Sequence, residues 1–110
     1  MKVIKGTFRI NSSEELGWIE HEGSYGVSFP FYIHRTKEQS YWKLSHMATG
    51  RNIIANIRTI QKARELTQKL SKYDVFLMPC IDTWRKALDR MKINNHKEYD
   101  ELLALVKGDY

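Results

Sequence analysis

The hydrophobic period of this chain changes once, near residue 59, and that change restricts the fold more than any other feature. Before it, apolar side chains tend to recur at every second position; after it they recur every three or four. Alternation lines one face of a strand, whereas the longer spacing lines one stripe of a helix. Strands first and helices later predict an α+β fold for the 110-residue chain. The expected architecture is an N-terminal antiparallel β-meander of three to five strands, a helix packed on one face, and two C-terminal helices. The length is right for a single domain over residues 1–110.

Ile4, Phe8 and Ile10 fall on one face of a strand over residues 2–10. NSSEELG reads as a loop, and WIEHEG as a short strand ending in a Gly23-Ser24 turn. Tyr25, Val27, Phe29, Phe31 and Ile33 then alternate in a further strand. Pro30, which has no N–H to donate, places that strand at an edge or requires a bulge. RTKEQS is the next turn. YWKLSHMATGRNII follows as a hairpin, with Thr49-Gly50 as a two-residue loop. That loop pairs His46 with Ile53, Leu44 with Ala55 and Trp42 with Ile57. It puts Trp42, Leu44, His46, Ile53, Ala55 and Ile57 on the core face. Tyr41, Lys43, Ser45, Met47, Asn52, Ile54, Asn56 and Arg58 lie on the other face.

Thr59 is placed to cap a helix over 60–72 whose stripe is Ile60, Ala63, Leu66, Thr67 and Leu70. This helix is expected on the Trp42 face. YDVFLM is apolar without a deciding period, and Pro79 ends it. Asp82 or Thr83 can cap a second helix over 83–93. Asn95 with Glu98 forms a capping-box-like start for a third over 96–107, which Gly108 stops.

Charge is unevenly placed. Residues 35–72 carry nine basic and two acidic side chains, while the segments before and after each sum to −1 of the net +5. An excess confined to the middle third attracts anionic partners. No run reaches the ~18 apolar residues of a membrane span, so no membrane association is expected. MKVIKGTFRI lacks the apolar core of a signal peptide. With Cys80 as the single cysteine, a reducing, cytoplasmic location is expected.

Several chemistries are disfavoured by spacing. His46 shares the core face, and no serine, cysteine or carboxylate stands at a spacing that would pair with it, so a structural role is expected. In EHE, Glu20 and Glu22 point away from His21, and no HExxH, CxxC or calcium-loop pattern occurs. The six glycines form no phosphate loop. Cys80 reads as a small buried residue. The expectation is a non-enzymatic protein with no catalytic residues, no metal and no cofactor.

What remains is the outer sheet face. Tyr41, Lys43, Asn52, Asn56 and Arg58 share it, Tyr32 and His34 can join from the preceding strand, and Arg51 stands at its end. Lysine and arginine neutralise phosphates, asparagine pairs with adenine edges, and tyrosine stacks on unpaired bases. These eight residues are the candidate binding site. A ligand-free solvated face would carry the same residues, as would a face that grips an acidic protein surface.

Residues 25–72, a sheet followed by the helix IQKARELTQKL, resemble in outline the arm-type DNA-binding domain of tyrosine integrases. Trp42, Leu44, Ser45, His46, Thr49 and Gly50 are also similar to a W-x-[LV]-[ST]-H-x-x-[ST]-G hairpin in small accessory proteins of bacteriophages and mobile elements. The first resemblance implies DNA as partner, while the residues of the outer face suit DNA or RNA. The second implies a phage-encoded factor, including one that blocks a host nucleic-acid enzyme or defence nuclease in the host cytoplasm.

Overall fold

The computed structural model describes residues 2–11 and 15–110. Part of the predicted NSSEELG loop, residues 12–14, lies outside them. Five antiparallel strands in sequence order form one sheet: β1 (Val3–Asn11), β2 (Trp18–Ser28), β3 (Phe31–Thr36), β4 (Trp42–His46) and β5 (Asn52–Ile57). Three helices follow, α1 (Ile60–Leu70), α2 (Ile81–Asn94) and α3 (His96–Val106), with a 3-10 helix at Asp74–Leu77 before α2. This is the predicted α+β class, strands first and helices later.

The strand read across Tyr25–Ile33 is a hairpin instead. Val27 pairs with Tyr32 and Ser28 with Phe31, so Phe29 and Pro30 form the turn, with a cis peptide bond between them. Gly23-Ser24, predicted to turn, runs on inside β2. Gly23 is needed there for another reason: a Cβ would stand 2.0 Å from the Arg35 carbonyl oxygen, so β2 and β3 approach too closely for any side chain.

The β4–β5 register also departs from the two-residue loop. Trp42 does face Ile57, but Leu44 faces Ile54 and Ser45 faces Asn52, with a shift between each of these pairs. The turn is wider than predicted, closed by Gly50 N–H to His46 O at 2.7 Å and His46 N–H to Arg51 O at 2.9 Å. Gly50 has φ +71°, and a Cβ there would strike the Trp18 ring. The shifts move Ile54 from the expected outer face into the core, 2% exposed, and leave Ala55 in solvent. Asn56 absorbs part of the irregularity with φ +59°. Asparagine tolerates this left-handed conformation and β-branched residues do not. Asn56→Val should therefore lose about 1–2 kcal/mol in urea unfolding. Asn56→Gly should lose nothing.

Helix α1 begins as expected: Thr59 Oγ1 accepts from Lys62 N–H at 3.1 Å. Ala63, Leu66 and Leu70 are buried with Trp42, Leu44, Ile54 and Ile57 on one sheet face, joined by Phe31, Ile33, Phe76, Met91 and Leu102. Each large aliphatic group buried there contributes roughly 1.5–3 kcal/mol. The helix stops at Leu70, not 72. Cys80, not Asp82 or Thr83, is the residue before α2, because Met78 is extended ahead of Pro79 and the Thr83 hydroxyl donates back to Cys80 O at 3.0 Å. Before α3, the Asn95 amide donates to the Glu98 carboxylate and caps no backbone N–H, so the capping box is only half formed.

The second sheet face is covered too. The sheet curls until Asn11 N–H reaches Gly50 O at 3.0 Å and Tyr32 OH donates to Arg9 O at 2.5 Å. Strand β1 thereby lays Phe8 over β3, and Phe31, Tyr32, Ile33 and His34 are all buried. The central strand has core on both sides.

Candidate functional site

Five sequence-predicted residues do share a surface, but two others have been withdrawn from it. Tyr32 is 7% exposed and His34 0% exposed, so neither is offered to a ligand. The expectation of an open face is corrected by β1: the Phe8 ring lies 4.9 Å from His34, and Tyr25 closes over Phe8 from β2. Alternation in β3 distinguishes its two faces but not which elements cover each.

Beneath that cover lies a polar chain of three strands. The Ser45 hydroxyl donates to Asn52 Oδ1 at 2.6 Å, and His34 Nε2 is 2.7 Å from Ser45 Oγ. Since the single hydroxyl proton goes to Asn52, Nε2–H is the donor to Ser45 and Nδ1 is the bare ring nitrogen. That Nδ1 is buried with no hydrogen-bond partner among the described residues. Burial, aided by the Lys43 and His21 charges and opposed by Asn52, pushes the imidazole down to about 3. Burial likewise pushes Tyr32 up to about 12, the Ser45 contact opposing it, so its hydroxyl keeps the proton it donates to Arg9 O. A serine beside a histidine has the composition of a nucleophile and base. Here the proton runs the opposite way, toward an amide, and His34 does not deprotonate Ser45.

His46 lies on the helix face, as expected from the pattern. Its Nε2–H donates to Phe76 O at 2.5 Å, so Nδ1 accepts from the Thr49 hydroxyl at 2.9 Å. Trp84 packs 5.2 Å from the ring. Burial lowers its pKa while the Phe76 carbonyl opposes that. The residue pins the β4–β5 turn to the 3-10 helix.

The surface that remains runs along β4 and β5. Tyr41, Asn52, Asn56 and Arg58 are exposed and Lys43 is half-buried. Because Trp42 pairs with Ile57, Tyr41, Lys43 and Arg58 gather at one end, while Arg51 stands at the other, half-buried beside Thr49 and Trp18. At ~3.3 Å per residue the strip is on the order of 20 Å long. Beyond Arg58 the chain enters α1, which packs on the other sheet face; its Arg64, Lys69 and Lys72 are exposed, and its Lys62 is engaged by Glu65 at 2.9 Å.

Cys80 is exposed, which corrects its reading as a buried residue. Its sulfur lies 3.3 Å from Thr83 Oγ1, and that contact lowers the thiol pKa. Among the described residues no three His, Cys, Asp or Glu side chains converge as a metal would require, and no helix is long and apolar enough to cross a membrane. No family model, curated protein or solved structure matches the chain.

Proposed function

We propose that the protein is a non-enzymatic nucleic-acid-binding module of bacteriophage type, acting in the host cytoplasm. It holds DNA or RNA through the basic strip of Lys43 and Arg58. The supporting observation is the gathering of Tyr41, Lys43 and Arg58 at one end of β4 and β5. Arg58 and the Tyr41 ring face solvent and Lys43 is half-buried beside them, whereas Tyr32 is sealed under β1. Such cations grip phosphates, and a tyrosine stacks on any base, so neither reads the sequence. Binding should therefore be insensitive to sequence and steeply salt-dependent. Replacing Lys43 and Arg58 together with alanine should weaken duplex binding. It should also reduce the slope of log K against log salt by roughly one unit for each phosphate no longer neutralised. Fluorescence anisotropy with a duplex and a single strand at low salt is the check; absence of binding to both defeats the proposal.

A second reading is favoured by one end of the molecule. Phe29 at the β2–β3 turn is 72% exposed and Leu77 is 53% exposed. The Met47 N–H to Pro30 O bond and the Phe31–Phe76 ring contact bring that turn and the 3-10 helix to the same end. An exposed apolar end suits a protein partner, as a phage-encoded inhibitor of a host nucleic-acid enzyme needs. The Tyr110 ring lies elsewhere, with its hydroxyl tied to Leu105 O and Lys62 over the ring. In this reading Phe29→Ser abolishes capture of a nuclease-resistant complex from bacterial lysate and Lys43→Ala does not.

A further inference from the structure

We infer that the groove between the β1–β2 hairpin and the β3–β4 loop is a phosphate-binding site, separate from the basic strip and independent of the reading above. Lys5, Ser24 and Arg35 stand directly opposite one another on three adjacent strands. They form a row of cation, hydroxyl and cation about 10 Å across, at the usual strand spacing. All three line an open concavity of about 980 Å³, with Thr7 beside them. Only the Ser24 hydroxyl stands between the two cations, so an anion seated over Ser24 can meet both charges. Among the described residues neither Lys5 nor Arg35 has a carboxylate partner. The one carboxylate in the groove, Glu22, is held by Lys37 at 3.1 Å.

Arg35 is held ready for such a role. Its guanidinium carbon lies 4.5 Å from the centre of the buried Trp42 ring, a cation–π contact that fixes the side chain before any ligand arrives. A planar fork of donors, a point charge and a hydroxyl together suit a tetrahedral oxyanion, which offers acceptors in several directions. The concavity is larger than a phosphate, so the group it takes is the phosphate end of a larger molecule. That chemistry is shared by a free nucleotide and by the 5′-phosphate of a nucleic-acid strand.

Amide chemical shifts of the whole protein, at matched ionic strength, test this with three probes: pyrophosphate, a mononucleotide and a short strand with or without its 5′-phosphate. Pyrophosphate should shift the amides of Lys5, Thr7, Ser24 and Arg35 saturably. Lys5→Gln and Arg35→Gln should each weaken that response by about fivefold or more. Because Arg35 also covers Trp42, Lys5→Gln on its exposed side chain decides the matter if Arg35→Gln fails to fold. Lys43→Ala with Arg58→Ala should leave the response intact, which separates this site from the strip. Equal binding of mononucleotide and pyrophosphate assigns a small-molecule ligand; a preference for the 5′-phosphorylated strand assigns a strand end. No saturation below about 10 mM, a response spread along α1, or an unchanged Lys5→Gln overturns the inference.

Discussion

Acidification from pH 6.5 to pH 3 should remove on the order of 4 kcal/mol of stability through His34 alone. The imidazole is 0% exposed, burial pushes it down to about 3, and in the unfolded chain it titrates near ~6.5. Between those values the unfolded chain binds a proton that the folded chain refuses. Stability is therefore complete above pH 6.5 and falls, by about 1.4 kcal/mol per pH unit, as pH drops toward 3. The neighbours act in the same direction. Lys43 on β4 and His21 on β2 both oppose a second positive charge, and only the Asn52 side chain favours it. His46, also shifted down by burial, adds to the loss. Urea unfolding at pH 7, 5.5 and 4 measures the effect. His34→Gln keeps an amide able to reach Ser45 but carries no titrating group, so its profile should be distinctly flatter than that of the unaltered chain. Parallel profiles for the two proteins would show that His34 is not held neutral by the fold.

The same residue marks how far the sequence could be read. Patterns that depend on one element and its own neighbours were legible: the Thr59 cap, the Ala63–Leu66–Leu70 stripe and the placing of Trp42, Leu44 and Ile57 toward the helix. Patterns that cross a turn were not. The odd positions from Tyr25 to Ile33 looked like one strand, yet the turn at Phe29-Pro30 sends Tyr25 and Val27 to one sheet face and Phe31 and Ile33 to the other. An apolar alternation can continue unbroken through such a turn because both faces of β3 are buried. Register in β5 was lost for a related reason, since Asn56 carries its irregularity in a left-handed backbone that its neighbours do not announce. For the candidate site the consequence was large. Lys43, Asn52 and Arg58 were recognisable as surface cations and amides, but the loss of Tyr32 and His34 to a roof built from Phe8 depended on how far the sheet curls. The row of Lys5, Ser24 and Arg35 likewise exists only once β1, β2 and β3 are in register.

His46→Ala should cost roughly 3–5 kcal/mol, the largest effect expected of any single polar substitution here. Two losses combine. The ring fills space against Phe76 and Trp84, and its removal leaves a cavity on the helix face. It also bridges Thr49 Oγ1 and Phe76 O, both of which would lose a partner in a region that excludes water. Thr49→Val separates the two contributions, because it deletes one bond while keeping shape, and should cost only about 1–2 kcal/mol. The bridge joins the β4–β5 turn to the 3-10 helix, so hydrogen exchange should speed up at Gly50 and Phe76 together in His46→Ala. An unfolding penalty below about 1 kcal/mol, or faster exchange on only one side of the bridge, would show that other contacts hold these two elements together. Duplex binding, measured well below the melting temperature, should survive in both variants, since Lys43 and Arg58 lie at the far end of the same strands. His46 thus serves the apolar end of the molecule, and Lys43, three residues before it, stands with Arg58 at the other.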